Sequence, residues 1–156
     1  MAKNSFCLFA ILAAQTAHAD DLAPRDGWAV HRTEKSFGEV VEATRAAVKS
    51  NGLIVVTQAG PTEAAARRGI TIPGNRIIGV FNNDYAVRVL SISTAAMIEA
   101  PIRFYVTENT DGTATLSYKL PSALFAPYSD EGGAELSEIA SELDARFSDI
   151  AAEAVR

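Results

Sequence analysis

The stretch that decides the fold is 102–119, which reads IRFYVTENTDGTATLSYK. Two runs of alternating apolar and polar residues flank the tetrapeptide NTDG at 109–112, whose Asp-Gly pair is typical of a tight turn between strands. The pattern therefore predicts a β-hairpin with strands at 102–108 and 113–119. Because a hairpin pairs antiparallel strands, part of the sheet is antiparallel, which favours the α+β class.

The two faces of this hairpin differ in character. Along the first strand the apolar residues occupy even positions, and Arg103, Tyr105 and Thr107 occupy the odd positions between them. Alternate side chains of a strand share a face, so these three lie together, and Ser117 of the second strand is expected beside them. The sequence leaves three interpretations of this face open: the floor of a ligand site, a dimer surface, or the solvent side of the sheet.

Residues 36–52 predict a helix. Ser36 and Glu39 form an S-x-x-E capping box, in which each residue satisfies a backbone N–H that the first helical turn leaves free. Apolar residues then recur at helical spacing as far as Val48, and Gly52 is the residue type that commonly follows a helix end.

The remaining elements follow from the same two periodicities. We expect further strands at 28–33, 53–57 and 77–81 and further helices at 62–68, 82–93 and 136–154. The β-branched run at 53–57 is predicted to be an interior strand, and 121–133 is predicted to be a loop. The order β-α-β-(α)-β-α-β-β-α predicts a single α+β domain over 28–156, with a mixed sheet that helices cover on one face.

Residues 1–19 are predicted to be a cleavable signal peptide. Lys3 precedes an apolar run at 6–14, and Ala17 and Ala19 supply the small-x-small pattern that places the cleavage site after Ala19. The apolar run is much shorter than the ~20 residues that a membrane-spanning helix needs. We therefore expect a periplasmic or secreted protein, no membrane association after cleavage, and a flexible lead-in at 20–27.

Composition excludes several classes of function. The net charge of −5 lacks the basic field that nucleic-acid binding requires. The single cysteine, Cys7, lies in the signal segment, so the rest of the chain offers no disulfide and no thiol nucleophile. No phosphate-binding loop, dinucleotide fingerprint or nucleophile elbow is present, so we expect no cofactor. His31, the only histidine after the signal segment, belongs to no metal-binding motif, and no metal site is expected.

The strongest candidate site lies where the third strand meets the next helix. Free N–H groups and the dipole at a helix N-terminus favour anions, and an arginine adds a donor that can bind a carboxylate or phosphate through two bonds. The predicted ligand-binding residues, which Arg88 follows one turn later, are Asn82, Asn83, Asp84, Tyr85 and Arg103. The alternative is an ordinary helix cap with solvated arginines.

The chain also resembles the domain-of-unknown-function 302 family of small bacterial α+β domains. The resemblance rests on RRGITIPG at 67–74, IIGVFNNDYA at 77–86, APIR at 100–103, the turn Asp111-Gly112, and Pro121. It implies a compact domain that is often dimeric and has no assigned reaction. The chain departs from the family pattern at Asn83, where members usually have proline, and at Gly60-Pro61, near which many members carry a histidine.

These observations favour a non-enzymatic exported domain that binds a small anionic ligand or a protein partner, as a homodimer. The alternative is a hydrolase- or isomerase-type enzyme with Asp84 or Glu108 as base, Tyr85 as acid and Arg103 as anchor. A third interpretation is a structural or stress-related exported protein without a pocket.

Overall fold

The computed structural model describes residues 21–156. Its strands are β1 Trp28–Ser36, β2 Ile54–Ala59, β3 Asn75–Phe81, β4 Ile102–Glu108 and β5 Thr113–Lys119. Its helices are α1 Phe37–Ser50, α2 Thr62–Ala66, α3 Asn83–Ile92, α4 Pro121–Phe125 and α5 Ser129–Val155. Short 3₁₀ turns at Ala96–Glu99 and Ala126–Tyr128 precede β4 and α5.

The five strands form one sheet in the order β1-β5-β4-β3-β2, and every neighbouring pair is antiparallel. The predicted α+β class is confirmed, whereas the prediction of a mixed sheet is wrong. The prediction that the strand near 53–57 is interior is also wrong, because β2 pairs only with β3 and lies at the edge. The helix α1 connects β1 to β2 across the sheet. Although β1 and β2 are consecutive in the chain, they therefore form the two opposite edges of the sheet.

Helices cover one face of the sheet, as the sequence predicts. Their apolar stripes meet the inward side chains of β3, β4 and β5 in a single core. Near its centre the ring of Phe104 stacks on that of Phe147 from α5, with 4.6 Å between ring centroids, and Tyr118 contacts both rings. All three side chains are almost completely buried. Because aromatic rings bury large apolar areas, this cluster is a major contributor to stability.

The capping box of α1 is present. The backbone N–H and the hydroxyl of Ser36 both donate to the carboxylate of Glu39, at 2.9 and 2.6 Å. These bonds hold the pKa of Glu39 below its ordinary value, with the hydroxyl bond the larger cause. A carboxylate in the first turn also interacts favourably with the helix dipole.

The segment predicted as a loop at 121–133 is largely helical. Pro121 occupies the first turn of α4, where its missing N–H costs nothing, and the next N–H, of Ser122, donates to Asp144 of α5 at 3.0 Å. Phe125 then enters the core, and its burial stabilises this short helix. Only Gly133, with a φ of 54°, interrupts the helical backbone of α5.

The predicted signal peptide lies outside the residues that the structure describes. Within 21–156, no helix is both long enough and apolar enough to cross a membrane.

Candidate functional site

Asn82 caps the N-terminus of α3. The side-chain oxygen of Asn82 accepts from the backbone N–H groups of Asp84 and Tyr85, at 2.9 and 3.2 Å. Its amide nitrogen donates to the carbonyl of Gly52 at 3.0 Å, which ties α3 to the turn before β2. Two of the N–H groups that an anion would need are therefore already bonded. Asn83 and Asp84 are exposed on the first turn.

Tyr85 takes part in packing between helices. Arg88 and Arg146 place their guanidinium groups 5.5 and 5.7 Å from the centre of its ring, within range of cation–π attraction. Arg88 also makes two bonds to Glu142 of α5, at 2.8 and 2.9 Å, and these raise the pKa of Arg88. A small apolar cavity of about 40 Å³ lies behind Tyr85 and Asn82. This volume is too small for an anionic metabolite.

Arg103 does not join this helix start. It pairs with Gly79 across β4 and β3, and its strand neighbours Ile102 and Phe104 point into the core beneath the helices. Because side chains alternate along a strand, Arg103 lies on the opposite face of the sheet, which we call the outer face. Of the five predicted site residues, the structure brings together the four at 82–85 and separates Arg103 from them.

The residues predicted to act as base, acid and anchor in the alternative enzyme do not lie close together. Asp84 is exposed on α3, Tyr85 lies between the two arginines, and Glu108 sits at the end of β4 opposite to Arg103. Five residues of a strand separate Glu108 from Arg103, or about 17 Å. A base, an acid and an anchor must contact one substrate at hydrogen-bonding distance, which this arrangement does not provide.

On the outer face, side chains from β1, β5 and β4 that are distant in the sequence become neighbours. Trp28 of β1 pairs with Lys119 of β5, and Phe104 pairs with Tyr118. When this antiparallel register is continued by one residue, Arg103 of β4 lies opposite Lys119 of β5. Directly opposite positions on neighbouring strands are about 5 Å apart, so Arg103 and Lys119 start from adjacent positions of the outer face, and both line one cleft together with Trp28.

These residues border a cleft of about 390 Å³, which we call the cationic cleft, lined mainly by Trp28, Ile77, Glu99, Arg103, Tyr105 and Lys119. Within residues 21–156, neither Arg103 nor Lys119 has a carboxylate within 4.0 Å, since every ion pair there uses another cation. The ammonium of Lys119 lies 5.8 Å from the centre of the Trp28 ring. Glu99, which also lines this cleft, accepts a hydrogen bond from Tyr128 at 2.8 Å.

A second cleft of about 380 Å³ adjoins the first, and its lining includes Asp21, Leu22, Pro61, Pro73, Thr107 and Glu108. We call it the acidic cleft. Asp21 accepts from the backbone N–H of Thr110 and from Arg32, both at 2.9 Å. These bonds, the backbone one first, lower the pKa of Asp21. Glu108 accepts from the backbone N–H of Gly74 at 2.6 Å.

Tyr105 and Asn75 line both clefts. The side-chain amide of Asn75 donates to the hydroxyl of Tyr105, which fixes the partition between them. The two clefts together, which we call the outer groove, follow β4 along the outer face. The segment at 21–27 borders the groove on one side and the β2–β3 connection borders it on the other.

His31 belongs to the opposite face of the sheet. It pairs with Leu116, its ring stacks on Tyr118 at 6.0 Å, and burial lowers its pKa. Its Nε2 is buried without a hydrogen-bond partner in the described chain, which fits a neutral imidazole in the packing of β1. Between Asp21 and Arg156, no cluster of three His, Cys, Asp or Glu side chains is arranged to hold a metal ion.

Sequence reasoning placed Arg103, Tyr105 and Thr107 on one face but missed Trp28 and Lys119. Period-two alternation assigns faces within a strand, and it does not say which strands are neighbours. The Trp28–Lys119 pairing joins positions that are far apart in the chain, so no local pattern could have indicated it.

Comparison with known proteins places this fold in a family. The chain resembles the crystal structure of an uncharacterised conserved DUF302 protein from Bacillus stearothermophilus, with a TM-score of 0.73 and 22% identity over 85% of this chain and 100% of that one. No curated protein matches the sequence significantly. Residues 29–154 match the family described as domain of unknown function DUF302. This chain belongs to the DUF302 family.

Proposed function

We propose that this domain binds a small anionic ligand in the cationic cleft and catalyses no reaction on it. One observation supports the proposal above the others: Arg103 and Lys119 line the same cleft from adjacent strands, and neither has a carboxylate within 4.0 Å in the described chain. Two neighbouring cations repel each other, and an anion between them relieves that repulsion. A guanidinium can also bind a carboxylate through two parallel bonds.

The chemistry of the walls narrows the ligand class. Glu99 lines the same cleft and offsets one of the two positive charges, so the cleft favours a monoanion over a phosphate dianion. Trp28 and Ile77 add apolar surface next to the cations, and Ile77 is 38% exposed. A carboxylate attached to an apolar or aromatic body fits this combination of charge and surface.

The test uses the intrinsic fluorescence of Trp28, because it is the only tryptophan in the chain and it lines the cleft. Benzoate, butyrate and inorganic phosphate are titrated separately into the protein. We expect benzoate to bind most tightly, and Arg103→Gln to weaken its binding by about ten- to a hundredfold, since hydrogen bonds to charged groups contribute about 1.5–3 kcal/mol. Unchanged benzoate affinity in Arg103→Gln would refute the proposal.

Two control variants test whether benzoate binds in the cationic cleft itself. Arg68→Gln removes an exposed arginine beyond the cleft and should leave the affinity for benzoate unchanged. Asn83→Ala alters the start of α3, the site predicted from the sequence. If Asn83→Ala lost affinity for benzoate and Arg103→Gln did not, the result would indicate that benzoate binds at the start of α3.

The sheet edge at β2 supports a second proposal, a homodimer. The residues of β2, IVVTQA, carry no charge, and Ile54 and Val56 are 59% and 44% exposed. The other edge, β1, carries several charged residues, which protect an exposed edge against pairing with another chain. We propose that β2 pairs antiparallel with its copy in a second chain, which would extend the sheet across both subunits.

Sedimentation velocity tests this dimer. Val56→Lys should convert a dimer into a monomer, because the pairing would bury an unpaired ammonium. Val87→Lys, which changes a valine on α3 that is 58% exposed, should leave the dimer intact. A monomeric unmodified protein at all accessible concentrations would refute the pairing.

We also propose that the protein is exported and cleaved after Ala19. The charged start, apolar run and small residues at 17 and 19 support this proposal. The intact mass of the protein recovered outside the cytoplasm tests it, and a chain beginning at Asp20 is expected. An uncleaved mass in that fraction would contradict it.

A further inference from the structure

We propose that Tyr128 keeps the cationic cleft open to its ligand by holding Glu99 away from Arg103 and Lys119. Tyr128 is a positioning residue in this role, because it contacts Glu99 and is not among the residues that line the cleft. The inference rests on the proposed function, since it concerns the same pair of cations. It goes further by naming the contact that prevents the cleft's own carboxylate from taking the place of the ligand.

Glu99 is the one acidic residue among the described residues that line the cationic cleft. It shares this cleft with Arg103 and Lys119, yet its carboxylate oxygens lie more than 4.0 Å from the side-chain nitrogen atoms of both. Opposite charges attract, and the attraction is stronger in a cleft than in bulk water because the effective dielectric constant is lower there. The separation of these charges indicates that another contact holds Glu99 in its place.

The hydroxyl of Tyr128 supplies that contact. It donates to Oε1 of Glu99 at 2.8 Å, an ordinary length for a hydrogen bond from a hydroxyl to an oxygen. Tyr128 ends the 3₁₀ turn that precedes α5, and its side chain packs against the hydrophobic core. The core therefore fixes the ring of Tyr128, and the hydroxyl on that ring fixes Glu99.

The surroundings of Tyr128 keep its hydroxyl protonated and therefore able to donate. The bond to Glu99, followed by burial and by the negative charges of Glu99 and Glu131, raises the pKa of Tyr128. Glu131 in turn accepts a hydrogen bond from the hydroxyl of Ser93, so this second carboxylate has a donor of its own. A tyrosine hydroxyl has a single proton to donate, and here that proton goes to Glu99.

Without the bond from Tyr128, Glu99 would compete with the ligand for the two cations. A carboxylate that belongs to the same chain acts at an effective concentration of about millimolar or higher, which exceeds that of a dilute ligand. The apparent affinity for a ligand falls in proportion to the fraction of molecules whose site is open. If Glu99 occupied the cations about 90% of the time, benzoate would bind about tenfold more weakly.

A double-mutant cycle on benzoate binding tests this inference, with the fluorescence of Trp28 as the readout. Tyr128→Phe removes the hydroxyl and keeps the ring, so the variant should fold and should bind benzoate about tenfold more weakly. Glu99→Gln removes the competing negative charge. In the Glu99→Gln background, Tyr128→Phe should therefore leave the affinity for benzoate unchanged, whereas a loss of packing at Tyr128 would weaken binding in both backgrounds.

Ser50→Ala is the matched control. Like Tyr128→Phe, it removes a hydroxyl that donates to a carboxylate, in this case from Ser50 of α1 to Glu153 of α5 at 2.9 Å, away from the cationic cleft. It should leave the affinity for benzoate unchanged. Thermal unfolding of each variant confirms that it is folded before the affinities are compared.

The outcomes distinguish this inference from the proposed function. Benzoate binding that needs Arg103 but is unchanged in Tyr128→Phe would overturn the role of Tyr128 and preserve the anion site. An equal loss of affinity from Tyr128→Phe in the unmodified and Glu99→Gln backgrounds would also overturn that role, because the effect would then not depend on Glu99. Absence of benzoate binding in the unmodified protein and in every variant would refute both.

Discussion

Gly60 is the glycine at which an added methyl group would come closest to another part of the backbone. It follows β2 and lies against the first residue of β3. A Cβ added there would lie 2.2 Å from the carbonyl oxygen of Asn75, whereas Cβ atoms essentially never approach within 3.0 Å. That oxygen belongs to the backbone, so no side-chain rotation can relieve the contact. The chain before α2 and the start of β3 must therefore separate by about 0.8 Å or more.

The cost follows from what this separation disturbs. Overpacking a close contact costs about 1–3 kcal/mol. The backbone N–H of Asn75 donates to the hydroxyl of Thr62 at 3.1 Å across the same gap, and losing that bond costs about 0.5–1.5 kcal/mol more. Replacing glycine returns about 0.4–1 kcal/mol by restricting the unfolded chain. Gly60→Ala should therefore destabilise the domain by about 2–3 kcal/mol.

Thermal unfolding followed by circular dichroism measures this effect. For a domain of this size, 1 kcal/mol shifts Tm by about 3–4 °C, so Gly60→Ala should lower Tm by about 6–12 °C. Gly38→Ala is the matched control, because a Cβ on this residue of α1 meets nothing within 4 Å. It should leave Tm unchanged or raise it slightly, since alanine favours the helix. Equal Tm values for the two variants would refute the close approach at Gly60.

Three further predictions concern the core and its titrating groups. Phe147→Ala removes a completely buried ring that stacks on Phe104 and should cost about 3–5 kcal/mol in the free energy of unfolding, measured with urea. Burial lowers the pKa of His31, so below its ordinary value of 6.5 the unfolded chain binds the proton more readily than the folded one. Stability should therefore fall as the pH is lowered through 6.5, and an unchanged pH dependence in His31→Gln would contradict this. Burial, with a smaller contribution from Asp144, raises the pKa of Tyr118 to about 12, so its stabilisation should be lost as the pH rises above 10, and Tyr118→Phe should remove that loss. Tyrosinate absorbance and unfolding at alkaline pH test the prediction for Tyr118. Ionisation of every tyrosine near pH 10 in the folded protein would disprove the raised pKa of Tyr118.

Local chemistry explains which parts of the fold could be predicted. The turn at 109–112 forms as expected, with the backbone N–H of Asn109 bonded to the carbonyl of Thr113 at 2.8 Å. The capping box at Ser36 and the apolar stripe of α5 also match, because each depends on residues a few positions apart. The helix at Pro121 was missed because its stability comes from burying Phe125 against distant residues, and tertiary packing commonly outweighs local preference.

The candidate site shows the same division. The alternation in β4 indicated that Arg103, Tyr105 and Thr107 share a face, and the structure places Tyr105 in both clefts of that face. The sequence predicts a ligand site at the helix start near Asn82 because the residue types there are typical of anion sites. Its donors prove to be bonded within the cap, which only the folded arrangement reveals.

Local sequence was sufficient to predict the α+β class, the hairpin, the capped helix and the amphipathic C-terminal helix, because periodicity and turn chemistry are properties of neighbouring residues. Tertiary packing was needed to show that the sheet is antiparallel throughout, that β2 is an edge, and that Trp28 and Lys119 stand beside Arg103. Strand order depends on the free energy of packing all helices against one sheet face at once. That free energy arises from contacts between distant segments, so no short stretch of sequence contains it.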